Sequence, residues 1–477
     1  MNLRASSTRQ YIRTALKNDN LRQAVNKATQ TALQKRLAIV EQTPNWEDLR
    51  LRAHSIKQNV IEHLDEYLER FEKKCGENGI HVHWATDAEE ARTIIKKIVR
   101  QNNVASIVKS KSLTTEEIHL NPFLTNLGVE TLETDLGEYI VQLLDQTPSH
   151  LTAPALHLTR QDVGRIFQQK LGVDYTENPH ELLQIARKKL RQKFLQADMG
   201  ISGVNFAIAS SGAFVVIENE ANARLSMGLP RIHLAVMGIE KLIPTFQDLP
   251  LFLKLLPPSA TGQKQTVYVN IIGGAQYDVL GEGPEQVHIV LLDNGRSKIA
   301  ADVELRETLF CIRCGACLNV CPIYQQVGGH AYGWIYMGPI GATLIPQFLG
   351  LHEGRFAPFL SSLCGACHEI CPMRIRIPHH LLKLRNQVVE AGFSKKGEKS
   401  VFKLWAFLAQ HPVLYRLTTW LPGKIQIIYR RPFPAPGYWR KRALGLFDSR
   451  GFRRRFLDEQ KQRKRRANID QQHGMTT

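Results

Sequence analysis

Cys311-Ile312-Arg313-Cys314-Gly315-Ala316-Cys317-Leu318-Asn319-Val320-Cys321-Pro322 and, further along, Cys364-Gly365-Ala366-Cys367-His368-Glu369-Ile370-Cys371-Pro372 hold seven of the eight cysteines in the chain. The first run has the C-x2-C-x2-C-x3-C-P spacing of bacterial iron–sulfur proteins, in which the fourth thiolate leaves its own loop and ligates the other of two clusters. The spacing has a geometric meaning. Thiolates at i, i+3 and i+6 on a turning loop face one cubane corner by corner, and Gly315 and Ala316 let the backbone close on inorganic sulfide. Pro322 and Pro372 stop the residue before them from continuing the same coil, which sends each fourth cysteine away.

On that crossing rule, Cys311, Cys314, Cys317 and Cys371 bind one [4Fe-4S] cluster, and Cys321, Cys364 and Cys367 bind a second. The second set is one thiolate short, because Ser361 stands where a full motif would carry its first cysteine. Three thiolates hold a [3Fe-4S] centre, or a [4Fe-4S] centre whose fourth iron takes water, Ser361, Ser362, His368 or a partner's group. The spacing does not choose among these. Disulfides are disfavoured by the lack of a secretory signal, and structural zinc wants four ligands in two balanced knuckles, which these runs do not offer.

A chain of 477 residues is too long for one core, so about three domains are expected. No run is apolar and long enough to span a bilayer, and the N-terminus has no apolar signal core, so reduced thiols in the cytoplasm are expected. The net charge of +18 is unevenly spread. Residues 373–477 hold 24 of the 62 Lys and Arg but only 6 of the 44 Asp and Glu, leaving 38 of each sign in the first 372.

Outward from the cysteines, the chain divides into residues 1–75, 76–298, 299–390 and 391–477. The first segment is polar and helical, with Val60, Ile61, Leu64, Tyr67, Leu68 and Phe71 on one face, and reads as a lead-in or docking piece. Cys75, at a helix end before Gly76, reads as structural. From Ile80 the period becomes strand-helix-strand: a strand at 81–85, a capping box of Thr86 with Glu89, a helix burying Ala91, Ile94, Ile95 and Ile98, and a strand at 104–108. A second capping box, Thr114 with Glu117, opens another helix, and 129–132 supplies a further strand, so an α/β domain with a mixed or parallel sheet is expected. Helices around 162–170 and 181–196 lead to two apolar strands about Ser210-Ser211-Gly212, then strands at 230–236, 267–272 and 287–292.

No nucleotide fingerprint is present; Gly273-Gly274 and Gly281-Glu282-Gly283 read as tight turns. His233 reads as a hydrogen-bonded core histidine and His368 as a surface one. Glu218, Asn219 and Glu220, with Arg224 near, are candidates to line a crevice at the strand ends. The glycine-rich insert between the cysteine runs, 328–341, reads as a cover that sets cluster exposure. Beyond Ser394 a helical apolar pattern at 401–417 gives way to Pro-rich 430–436 and basic clusters at 440–442, 453–455 and 463–466, with aromatics interleaved. Such a tail suits an anionic membrane surface, an acidic partner subunit, or plain solvation.

The chain resembles the lactate utilisation protein B family, through Asp135-Leu136-Gly137-Glu138, 197–203, 208–212, Pro230-Arg231-Ile232-His233, Asp293-Asn294-Gly295-Arg296 and both cysteine runs. The resemblance implies an α/β central domain akin to phosphosugar isomerases and CoA transferases, an all-α ferredoxin-like two-cluster module, and a basic helical C-terminal region. It further implies an iron–sulfur electron carrier in the oxidation of L-lactate to pyruvate, working with two other subunits, with the seven cysteines divided as above. Two rival functions are a 2-hydroxy-acid dehydrogenase site in the α/β domain itself, and an iron–sulfur regulator using the tail on DNA. The first lacks a flavin or NAD fingerprint and the second lacks a helix-turn-helix pattern, so no specific nucleic acid is expected.

Overall fold

The computed structural model describes residues 5–275, 283–393, 397–418 and 455–463. It divides into two compact units, Met1–Phe393 and Ser394–Thr477. The first unit opens with helices α1 (Ala5–Lys17), α2 (Asp19–Glu41), α3 (Trp46–Glu62) and α4 (Leu64–Glu77). Asn18 starts α2 by accepting from Leu21 N at 3.0 Å. His63 breaks the coil, so the apolar face read from Ser55 onward is carried by two helices, and Val60, Ile61, Leu68 and Phe71 are buried on them.

The strand-helix-strand unit follows as β1 (His81–Ala85), α5 (Ala88–Gln101) and β2 (Ser106–Lys109). Both expected capping boxes shift. Asp87, in extended backbone, caps α5 by accepting from Glu89 N and Glu90 N, while Thr86 hydrogen-bonds to Glu90. Ser112 caps α6 (Leu113–Glu117) by accepting from Thr115 N, and Glu117 turns into the core to meet an arginine instead of its own helix end.

The chain continues through α7 (Leu120–Asn126), β3 (Glu130–Glu133), α8 (Leu136–Leu143), α9 (Arg160–Leu171), α10 (Pro179–Gln196) and β4 (Met199–Gly203). Next come β5 (Phe206–Ile208), β6 (Phe214–Glu218), α11 (Asn222–Gly228), β7 (Ile232–Gly238), β8 (Leu242–Ile243), α12 (Leu249–Thr261), β9 (Tyr268–Ile272), β10 (Gln286–Leu292) and α13 (Arg296–Ala301). The strands sort into two sheets rather than one. A six-stranded sheet has the order β1-β10-β7-β4-β2-β3 with every pairing parallel, and a four-stranded mixed sheet has the order β8-β5-β6-β9. β7 is buried along its whole length, as a central strand covered on both faces must be.

The Ser210-Ser211-Gly212 turn joins β5 to β6 against the end of α4. Gly212 has φ +69°, and a Cβ there would lie 2.5 Å from the Lys74 carbonyl carbon. Its carbonyl accepts from the buried Cys75 Sγ at 3.2 Å. Burial pushes that thiol up to about 12, so Cys75 is an inert packing residue beside the turn.

From Asp302 to Phe393 the described residues form helices and loops without a strand: α14 (Ala316–Asn319), α15 (Tyr324–Val327), α16 (Gly338–Phe348), α17 (Gly350–Gly354), α18 (Ala366–Glu369) and α19 (Ile377–Glu390). The residues expected as a lead-in are built into this region. Ala15, Val25, Trp46, Ala53 and Ile61 share one apolar core with Cys314, Leu318, Tyr324, Met337 and Cys371, and with Phe206 and Val215 of the second sheet. The second unit contains α20 (Glu398–Gln410), on which Val401, Phe402, Leu404, Trp405 and Phe407 are exposed. The Pro-rich stretch 430–436, Trp420, Trp439, the clusters at 440–442 and 464–466, and Arg453, Arg454 and Gly281 lie outside the described residues. Among the described residues no helix is long and apolar enough to cross a membrane.

Candidate iron–sulfur centres

The two cysteine runs fold as a structural repeat. Arg313 and Leu363, each just before a cysteine, both take left-handed backbone at φ +60° and +56°; Gly315 and Gly365 follow at +78° and +89°. Then α14 and α18 carry Cys317 and Cys367. Left-handed backbone at an arginine and a leucine is strained, and finding it twice at one motif position marks a loop shaped for its cysteines. The repeat extends to the residue that differs. Arg313 N donates to Cys311 Sγ at 3.4 Å, and Leu363 N donates to Ser361 Oγ at 3.1 Å.

Cys311, Cys314, Cys317 and the distant Cys371 line one cavity, closed by Ile312, Ile340, Met373, Ile375 and Ile377. Cys321, Cys364 and Cys367 lie within electrostatic reach of one another, beside the first set. Backbone N–H groups point at several sulfurs: Ala316 at Cys314, Ile340 at Cys317, Tyr324 at Cys321, and Met373 and Ile375 at Cys371. Ile340 belongs to the insert read as a cover. Burial, reinforced by neighbouring cysteines, pushes Cys314 and Cys367 up to about 12, and burial pushes Cys371 to about 11. These thiols are neutral without metal, and binding iron displaces their protons. Cys364 is exposed, and His368, half-buried, donates from Nδ1 to the Ile375 carbonyl at 3.1 Å.

The N-terminal helices clamp the second run. From α2, Arg36 donates to the Ile370 carbonyl at 2.7 Å; from α3, Arg50 donates to the carbonyls of Cys371 at 2.9 Å and His368 at 3.3 Å, and His54 to that of Met373 at 2.9 Å. Both guanidinium groups therefore stand near the sulfur-lined cavity. Sequence reasoning passed over them. The signal was a basic residue on a buried stripe, since Trp46, Arg50, Ala53, Lys57 and Val60 recur at helical spacing and are all buried.

A buried charge network joins the first cysteine loop to the α/β region. Arg313 Nη2 lies 3.4 Å from Glu240 Oε1; Glu240 Oε2 accepts from Arg296 Nε at 2.6 Å; Arg296 donates twice to Glu117 at 2.8 Å. Tyr336 donates to Glu117 at 2.7 Å, and Lys57 donates to the carbonyls of Glu240 and of Leu242, the latter at 3.1 Å. Glu218, Asn219 and Glu220 do line a cleft at the carboxyl ends of the parallel strands, whereas Arg224 is not part of its wall. His233 is a core residue, 2.8 Å from Ser202 Oγ, and burial lowers it to about 3.

Two family models match the chain: the LUD domain at residues 68–292 and the 4Fe-4S dicluster domain at 307–375. Proteins named Lactate utilization protein B are similar over most of their length. The one from Bacillus velezensis is 42% identical over 89% of this chain and 89% of its own. That from Geobacillus sp. is 44% identical over 87% and 88%, and that from Oceanobacillus iheyensis 41% identical over 92% and 97%. A solved DUF162 family protein from Deinococcus radiodurans matches 48% of the chain and 98% of its own at 15% identity, with a TM-score of 0.28, too slight a likeness to bear on the fold. With identities above 40% across nearly the whole length, the chain belongs to the lactate utilization protein B family.

Proposed function

We propose that the chain is an iron–sulfur electron carrier in lactate utilisation, serving the oxidation of L-lactate to pyruvate with two partner subunits in the cytoplasm. The observation that carries the reading is the cavity in which Cys311, Cys314 and Cys317 meet Cys371 from the other run. The residues suit such a group: four thiols around one apolar cavity, N–H donors aimed at sulfur, and two arginines behind. We assign Cys311, Cys314, Cys317 and Cys371 to one [4Fe-4S] cluster and Cys321, Cys364 and Cys367 to a second.

For the fourth position of the second set, Ser361 is the favoured ligand over water, Ser362 or His368. Its Oγ accepts from Leu363 N as Cys311 Sγ accepts from Arg313 N. If Ser361 stays unbound, the three thiolates hold a [3Fe-4S] centre, or a [4Fe-4S] centre whose fourth iron takes water, Ser362, His368 or a partner's group. Bound clusters supply one-electron transfer; the protein's part is to hold thiolates, exclude water and balance charge. The family name of the relatives and the 4Fe-4S dicluster match at 307–375 support the pathway and the cofactor.

Anaerobic purification followed by iron and sulfide assay and EPR tests this. Two cluster signals are expected, with Cys314→Ala removing one and Cys367→Ala the other, and Ser361→Ala shifting the second toward three irons. A colourless, zinc-bearing preparation, or one whose signals ignore both cysteine substitutions, refutes it. We also propose that the C-terminal region rests on an anionic membrane surface; the exposed Phe402, Leu404, Trp405 and Phe407 of α20 and the basic excess support it.

A further inference from the structure

The parallel sheet reverses its winding at one place. From β2 the chain moves outward to β3, while from the neighbouring β4 the next strand of this sheet, β7, lies on the other side. Loops that leave adjacent strands in opposite directions open a crevice above their carboxyl ends, where α/β sheets bind ligands. A cavity of about 370 Å³ lies here, walled by Ser110-Lys111-Ser112 after β2, Gly203-Val204-Asn205 after β4, Glu220, and Arg313 from the first cysteine loop. The approach of the two loops requires glycine at 203, since a Cβ there would lie 2.7 Å from Ser112 Oγ.

Two cationic nitrogens in this wall, Lys111 Nζ and Arg313 Nη1, are shut off from solvent and have no hydrogen-bond partner among the described residues. Burying such groups unpaired is unfavourable, and a structure that does so twice in one cavity is missing an acceptor. Arg313 is only 9% exposed, and its remaining capacity is committed: Nη2 faces Glu240, the guanidinium lies 4.8 Å over the Tyr336 ring, and the side chain also hydrogen-bonds to Cys311. The acids of the cavity do not fill the gap. Glu218 accepts from Ala223 N and Arg224 N at 2.7 Å each, and Asp135 accepts from Glu138 N at 3.0 Å. Glu220 accepts from Leu136 N at 3.3 Å, and burial followed by the charge of Asp135 raises its carboxyl above the usual range. Lys111, Lys241 and Arg313 stand against Asp135, Glu218 and the raised carboxyl of Glu220, a near balance that suits a singly charged anion better than a multiply charged one.

The geometry points to a binding site for a small monocarboxylate, its carboxylate held between Lys111 and Arg313 and its polar remainder turned toward Glu220. This holds or fails separately from the electron-carrier reading, because binding and cluster content are measured independently. The test is calorimetric titration of the anaerobically purified full chain with acetate, L-lactate, pyruvate and, in parallel, inorganic phosphate. Saturable binding of at least one monocarboxylate is expected. Lys111→Met and the cavity-filling Ala260→Phe should each weaken it about tenfold or more, and Lys111→Arg should recover part, with iron and sulfide unchanged. Binding of phosphate alone, binding of no monocarboxylate, or wild-type affinity in both weakened variants overturns the proposal.

Discussion

Arg296→Met is expected to destabilise the first unit by about 3 kcal/mol in mild acid and by more at and above neutral pH, on the following balance of charges. Burial by itself raises the Glu240 carboxyl; Arg296, followed by Lys241 and Arg313, overcomes this and holds it at about 2 against an ordinary 4.5. A depression of that size corresponds to about 3 kcal/mol, in line with the loss of one partner from a buried ion pair. A carboxyl lowered on folding stabilises above its unfolded pKa, and that contribution is lost as pH falls through about 2. Without Arg296 the burial effect takes over, the carboxyl must take up a proton to stay inside, and its contribution reverses: present in acid, lost as pH rises. The deficit relative to wild type should therefore widen between about pH 5 and about pH 8, read from urea unfolding midpoints. Adding Glu240→Gln to the variant should recover part of the deficit at the higher pH. An equal deficit at both pH values, or none, would refute the assignment of the network's stability to this pair.

Arg50→Met removes donors to the Cys371 and His368 carbonyls, so chelator-driven bleaching of the anaerobic protein should speed up several-fold while the melting curve shifts little; unchanged bleaching would show the clamp is passive. Cys75→Ala should cost about 1–2 kcal/mol through lost packing on Gly212, with iron content unchanged; loss of iron would place Cys75 among the ligands. Gly212→Ala should cost about 1–3 kcal/mol, because its left-handed backbone and the approach to Lys74 leave no room for a Cβ; a melting temperature equal to wild type would contradict the close approach. The full chain should float with anionic but not neutral vesicles, and a chain ending at Phe393 with neither; equal flotation of both chains would remove the membrane role of the tail.

How much of this was legible in the sequence depended on whether the signal was local. The cysteine spacing and the strand pattern are short-range, and β1, β7 and β10 fall within two residues of their expected spans. Capping was misplaced because Thr86 and Thr114 satisfy the box pattern, yet Asp87 and Ser112 reach the donors first with extended backbone. Glu117 illustrates the harder limit. On its own helix it looks like a capping partner, and only Arg296, brought in from the far end of the sheet, gives its carboxylate a reason to be buried. The second sheet was invisible for a similar cause: β5 and β8 are three and two residues long and pair across a gap in sequence that no periodicity spans.

The same logic explains why the N-terminal helices read as a lead-in or docking piece and yet share the core of the cysteine region. Residues 5–62 contain no motif, but a cluster loop that leaves its own run at Cys371 exposes carbonyls that no helix of its own can satisfy. Those of Ile370 and Met373 are met by Arg36 and His54, and Arg50 adds a second donor to those of His368 and Cys371, which also accept from Cys371 N and Arg374 N. Any donors would satisfy the hydrogen bonds; choosing two arginines also places positive charge behind the sulfur-lined cavity, where thiolates and sulfide would otherwise repel one another. One set of side chains thus closes the fold and prepares the site, which is why the helices cannot be separated from the cysteines they precede by some three hundred residues.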